Sequence, residues 1–356
     1  MKVLFDHQIF SIQKYGGVSR YFFELINHLP KNEWDLSLLF SNNEYIKENG
    51  LISHHQFFPN QKIIGKASMI CAINNVSTVS KLIQGEFDVF HQTHFHTYSF
   101  PFLKNKPLVT TFHDMNFSRF NHPDLKIQKK SVAKADKIIA VSKNTKNELI
   151  NLWNIPEERI EVVYHGVDIP LNINKVGNRL INEPYILYVG LRVEFKNFRR
   201  FASAYSLVKE KHPYLKLICT GSPFTNEEKK FLNDLKILED TISINATEEI
   251  MSNLYTFAEL FVYPSLYEGF GMPILEAMSY GCPTLISNAS CFPEIAGNAS
   301  FYFDPYDVDS IISSMLELLD DNTKRKSKSS IGYALCKKFT WERSAQGHRS
   351  VYKSLL

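Results

Sequence analysis

The sequence predicts an α/β protein made of two three-layer αβα domains, and three observations carry that prediction. Short apolar segments of strand length alternate with longer stretches of helical periodicity through the amino-terminal half. The same alternation restarts after Pro184, where residues 185–190 form a buried strand ending at glycine. With 356 residues, the chain is long enough for two cores of ordinary size.

Taken in order, Val3, Leu4 and Phe5 form the first strand. Val18, Phe22, Leu25, Ile26 and Leu29 then recur at helical spacing. Further strands are expected over 34–40, 89–91, 108–112, 138–141 and 161–163. The polar stretch 179–183 separates the halves, and the domains are assigned to 1–172 and 173–340. Strands over 185–189, 215–219, 241–244, 260–263 and 284–287 follow, with helices over 226–238 and 247–258 between them. Short central strands joined by helices argue for mostly parallel sheets, and two such domains imply a cleft.

Composition narrows the function. Hydrophobic residues make up 44% and charged residues 22%, as in ordinary globular proteins. No segment approaches the roughly 20 apolar residues of a membrane-spanning helix. Asp6 interrupts any signal-like run, so a cytoplasmic location is expected. Five dispersed cysteines form no paired metal knuckle. A net charge of +3 is too small a footprint for nucleic acid. Between Lys126 and Lys146, however, seven lysines face a single acid, Asp136. That segment is either a solvated helical face or a peripheral contact for an anionic membrane or anionic acceptor.

Ligands of parallel sheets sit beyond the carboxyl ends of the strands. This rule places Gly16, Gly17, His91, His113, Asp114 and Ser142 on one rim of the first domain. Imidazole just outside a strand can donate or accept a proton near neutral pH. In the string from His91 to His96, an extended chain turns His94 and His96 to one side, but no third ligand stands at metal spacing, and the string is read as ordinary sequence. In the second domain Arg192 and Lys196 follow a strand, where a guanidinium fork and an ammonium suit a pyrophosphate. Glu194 is a competing partner for Lys196. Glu268 and Glu276 stand eight residues apart around Gly269, Phe270 and Gly271. Pro273 is expected to open a helix, with Glu276 in its first turn beside free backbone amides.

These motifs resemble those of the retaining GT-B glycosyltransferases, family 4-like or group 1, which include bacterial mannosyl- and glucosyltransferases of surface polysaccharide synthesis. The resemblance rests on Gly16-Gly17, His113-Asp114, Ala140-Val-Ser142, His165-Gly-Val-Asp168, Arg192 with Lys196-Asn197, and the segment from Glu268 to Glu276. Gly281-Cys-Pro283 and Pro293-Glu294 extend it, so that it covers nearly the whole chain. His165 departs from the Asn common in the family.

The resemblance implies two Rossmann-like domains facing across a cleft, with the closing helix of about 341–356 packed back on the first. It gives donor binding to Gly17, Arg192, Lys196, Glu268, Gly269, Phe270, Gly271 and Glu276. Catalytic roles fall to His113, Arg192, Lys196 and Glu268, and acceptor-side roles to Gly16, Gly17, His91 and Asp114. The implied donor is a nucleoside diphosphate sugar, GDP-mannose by preference with UDP-sugars open, and the acceptor a glycan or lipid-linked glycan. No prosthetic group and no essential metal are expected, because two cations and helix amides answer the leaving diphosphate. A nucleotide-sugar epimerase and a non-catalytic glycan or nucleotide-sugar binder are the alternatives.

Overall fold

The computed structural model describes residues 1–119, 122–170 and 178–356. The boundary expected at 172/173 falls outside the described residues. Two compact units form, one of Met1–Gly166 with Trp341–Leu356 and one of Val167–Thr340.

The first unit carries strands β1 (Val3–Phe5), β2 (Trp34–Leu36), β3 (Val89–Gln92), β4 (Leu108–Phe112), β5 (Lys137–Ala140) and β6 (Ile160–Val162). Their order is β2-β1-β3-β4-β5-β6, with every pair parallel. β1, β3 and β4 are buried on both faces, including the polar His91 and Gln92 of β3 and the two threonines of β4. β2 stops at Leu36, four residues before the expected end at 40. The Asn74 side chain accepts the backbone N–H groups of both Leu39 and Phe40 at 3.0 Å and draws them out of the ladder.

The second unit carries β7 (Tyr185–Tyr188), β8 (Lys216–Thr220), β9 (Thr241–Ile244), β10 (Leu260–Tyr263), β11 (Thr284–Ser287) and β12 (Phe301–Phe303). The order β12-β11-β10-β7-β8-β9 is again all parallel. β10 therefore lies inside the sheet between β7 and β11, and the loops leaving all three share one edge. β12 has no counterpart among the expected strands. The helix expected to reach 238 ends at Asp234, since Lys236 turns left-handed at φ 57°.

The closing helix Trp341–Lys353 completes the first unit through polar bonds rather than apolar burial alone. His348 Nε2 meets the Tyr21 hydroxyl at 2.5 Å, and that hydroxyl meets Thr111 Oγ1 at 3.0 Å. His91 links Thr111 at 3.0 Å to the Tyr352 hydroxyl at 2.7 Å. Arg349 pairs with Glu33 at the periphery. Gly347 passes so close to β6 that a Cβ there would lie 2.8 Å from Val163 Cγ1.

Burial keeps this cluster neutral. It pushes His348 down to about 4, against the opposing bond to the Ser344 carbonyl. It also holds His91 and His165 well below the ordinary imidazole value, with neighbouring histidines adding to the effect. Below the ordinary value near 6.5 the unfolded chain binds protons that these folded imidazoles refuse, so stability falls as pH falls. Urea unfolding is expected to show a loss of up to about 1.4 kcal/mol per pH unit for each such histidine between about pH 6.5 and 4. A midpoint constant over that interval contradicts this account.

Candidate functional site

The edge where β7, β8 and β10 end carries Arg192, Lys196, Glu228 and Glu268, joined in two ion pairs. After β10, Pro264 and Ser265 break the strand and the chain runs through Glu268 to Gly271, whose φ of 86° suits glycine. A Cβ at Gly271 would also stand 3.1 Å from both Ile274 and Phe292. This turn caps the helix Met272–Ser279. Pro273 is its second residue, not its first, and Glu276 the fifth, so Glu276 lies just past the first turn. Tyr255 donates to Glu276 Oε2 at 3.1 Å.

Glu268 is fixed at both ends. Its backbone is tied to Ser290, which donates to the Glu268 carbonyl at 2.6 Å. Its carboxylate accepts from the Tyr263 hydroxyl at 2.8 Å and from the ammonium of Lys196. Lys196 also reaches the Tyr263 hydroxyl at 3.2 Å. Glu268, rather than Glu194, is therefore the carboxylate that answers Lys196. Burial, helped by the Glu268 carboxylate, holds the Tyr263 phenol well above its ordinary value and so neutral. The loops themselves are joined by Leu266 N donating to the Phe195 carbonyl at 2.7 Å.

Arg192 turns the other way, toward the loop after β8. Its Nε donates to Glu228 at 2.7 Å, a terminal nitrogen donates to the Ser222 carbonyl at 2.7 Å, and the guanidinium lies 4.7 Å from the Phe224 ring centre. Glu228 also closes a capping box with Thr225. Burial raises its carboxyl, but bonds from Arg192 and the Thr225 backbone outweigh burial and keep it below the ordinary range. Both expected phosphate ligands thus stand on one edge, each answered by a carboxylate.

In the first unit the expected residues divide. His91 is fully buried with both ring nitrogens bonded, so it belongs to the packing network and not to an open rim. Burial is the physical reason, since β3 is covered on both faces. His113 follows β4 with Nε2 enclosed and without a hydrogen-bond partner among the described residues. Burial, with His94 and His348 nearby, pushes it down to about 3, leaving a neutral imidazole. Asp114 accepts from Asn116 N at 2.8 Å. A Cβ at Gly16 would meet only the end of the flexible Gln13 side chain, with Oε1 at 2.6 Å, so Gln13 would have to shift, whereas the space beside Gly17 is open. Ser142 caps the helix Lys143–Trp153 by accepting from Thr145 N. Among the described residues no group of three or more His, Cys, Asp or Glu is placed to hold a metal ion.

Tyr263, Glu228, Ser290 and Tyr255 were not legible as parts of the site. Tyr263 reads as a strand residue, and only the order of strands brings it to Lys196. Glu228 alone had a sequence signal, the Thr-x-x-Glu of its capping box.

The sequence pattern described as "Glycosyl transferases group 1" matches residues 172–334, and that of "Glycosyltransferase Family 4" matches 15–170. The O-antigen chain mannosyltransferase B of Escherichia coli is 33% identical over 269 residues, 69% of this chain and 70% of that protein. The chain belongs to the GT-B-fold glycosyltransferases. It is related to bacterial mannosyl- and glucosyltransferases of polysaccharide biosynthesis. The Salmonella typhimurium O-antigen chain mannosyltransferase RfbU is 28% identical, over 64% of this chain and 65% of that protein. Anabaena HepE, solved with UDP and glucose, shares the fold at TM-score 0.80 and 20% identity, covering 99% of this chain and all of that one. This glycosyltransferase accordingly moves a sugar from a nucleoside diphosphate sugar to a glycan or lipid acceptor. Among its described residues no helix is long and apolar enough to cross a membrane.

Gly271→Ala must place a methyl group in a left-handed turn already in contact with Phe292. It is expected to cost more than about 1 kcal/mol in urea unfolding. A neutral result would show that the turn has another accessible conformation.

Proposed function

We propose that this glycosyltransferase transfers a hexosyl group, with retention, from a nucleoside diphosphate hexose bound at the β7–β10 edge to a glycan or lipid-linked glycan. The observation that carries the reading is the Lys196, Glu268 and Tyr263 cluster with Arg192 on the same edge. An incoming diphosphate competes with Glu268 for Lys196 and with Glu228 for Arg192. Charge is then neutralised where the leaving group develops it, a contribution that mutagenesis elsewhere puts at several kcal/mol. Glu268, released from the ammonium, accepts from sugar hydroxyls, and Glu276 accepts from ribose hydroxyls. His113, kept neutral by burial, is assigned a contact to the donor sugar. Gly17, with nothing in the place of a side chain, leaves room for donor phosphate and acceptor, while Gly16 and Asp114 shape the acceptor side.

Two donors follow from different observations. The names of the O-antigen relatives support mannose, carried as GDP-mannose. The ligands of Anabaena HepE support a UDP-linked hexose such as UDP-glucose, though that relative shares the fold alone. Assay of GDP-mannose, UDP-glucose, UDP-galactose and UDP-N-acetylhexosamines, with and without EDTA, separates them. Lys196→Ala and Glu268→Ala are each expected to lower kcat by about 100- to 1,000-fold with whichever donor is used. Full turnover in either variant refutes the assigned roles, and strict dependence on added metal refutes the proposed charge compensation.

The helix Leu125–Lys134 exposes Lys126, Lys129, Lys130 and Lys134. Lys137 and Lys146 are instead paired with Glu161 and Glu157. The exposed set supports peripheral contact with an anionic, cytoplasm-facing membrane surface. Vesicles containing phosphatidylglycerol should retain the protein at low salt and release it as salt rises. Equal retention by neutral vesicles leaves the lysines as a solvated face.

A further inference from the structure

The helix Lys66–Gln84 of the first unit has its polarity reversed. A surface helix ordinarily turns an apolar stripe to the core and its charges to water. Here residues 67–80 contain no charged side chain. The inward side is half polar, with Ile70 and Leu82 buried beside Asn74 and Thr78. Asn74 donates to the Ser11 hydroxyl at 2.9 Å and to the Phe40 carbonyl at 2.8 Å, and Thr78 donates to Ser37 Oγ at 2.9 Å. The outward side is apolar. Met69, Val76 and Ile83 are 47%, 72% and 55% exposed, and Ala72 is exposed between the first two.

These side chains stand in register. Met69, Val76 and Ile83 are seven residues apart, and Ala72 and the half-buried Val79 each follow three residues after one of them. That is the a and d spacing of a coiled-coil seam, and the small Ala72 lets a second helix come close. The lysines nearest the seam are drawn off it. Lys81 pairs with Asp35 at 2.7 Å, Lys104 donates to the Ile83 carbonyl at 3.2 Å, and Lys66 donates to the Phe58 carbonyl at 2.8 Å. Single exposed apolar residues are ordinary, whereas a continuous apolar stripe marks an interaction surface.

Charge at the two ends selects the occupant. Lys62 before the helix and Glu86 after it are both exposed, and neither has an ion-pair partner among the described residues. When two such helices lie antiparallel with a positions against d positions, Met69 packs on Val79 of the second copy and Val76 on Ala72. The same register carries Lys62 toward Glu86 at both ends, and Ile64, 99% exposed, toward Ile83. The face is therefore complementary to itself about a two-fold axis, as an isologous dimer requires. An anionic lipid surface would suit the apolar stripe, but it gains nothing from the heptad register and is repelled by Glu86.

We propose that two copies of this chain dimerise through the helix Lys66–Gln84, packed antiparallel along the seam Met69, Ala72, Val76, Val79 and Ile83. The inference stands apart from the identity of donor and acceptor, since none of these residues belongs to the candidate site.

Sedimentation velocity of the full chain over a concentration series is the test, and it should show a monomer–dimer equilibrium. Val76→Lys, at the centre of the seam, should raise the dissociation constant of the dimer at least about tenfold. Lys62→Glu and Glu86→Lys should each raise it about two- to fivefold, and the two together should restore the parent value. All three side chains are exposed, so circular dichroism should match the parent in every variant. The proposal is overturned by a chain that stays monomeric at every concentration, by a dimer that Val76→Lys leaves intact, or by two charge reversals whose losses add rather than cancel. A monomer captured by phosphatidylglycerol vesicles, with capture lost in Val76→Lys, gives the face to lipid and also overturns it.

Discussion

An ammonium group withdrawn from water requires an anion, and in the second unit Glu268 supplies it to Lys196 across two loops that are distant in sequence. Tyr263 completes the arrangement from inside the sheet by donating to the same carboxylate. Much of the local architecture serves this contact. β10 must sit next to β7, the loop after β10 must be pinned by Ser290, and Gly271 must turn left-handed to start the helix that carries Glu276. The pairing also stores the site in a neutralised form. On the function proposed above, the cations assigned to a diphosphate do not face solvent bare before the ligand arrives, and neither does the Glu268 carboxylate.

Arg192 and Glu228 repeat the device one strand further along the sheet. Here the carboxylate belongs to a helix cap, so the position of the guanidinium depends on how the chain enters the helix Asn226–Asp234. Two independent loops thus each present a cation already paired with a carboxylate.

The fold was legible because buried parallel strands leave a plain trace. Val3–Phe5, Leu108–Phe112 and Thr284–Ser287 read directly as apolar runs of strand length. What escaped was decided by side chains reaching over long sequence distances. Asn74 ends β2 from 35 residues away, and no pattern within 34–40 announces it. His91 lies within β3 whereas His113 follows β4, and Tyr352 and Thr111 engage both nitrogens of His91; a partner 261 residues distant cannot be read from local spacing. The charged site was legible by residue type, since Arg192, Lys196, Glu268 and Glu276 do share an edge. Its pairing scheme was not, because Tyr263 and Glu228 look like ordinary strand and cap residues until the strand order is known.

The closing helix has a consequence for how the protein is made. Tyr21 and His91 find partners in His348 and Tyr352, so the hydrogen-bond network of the first unit stays incomplete until residues 341–356 have been synthesised. All six strands of the second unit precede that helix in the chain. Loss of residues 341–356 would therefore strip Tyr21 and His91 of a partner each, and so injure the half of the protein that was synthesised earlier.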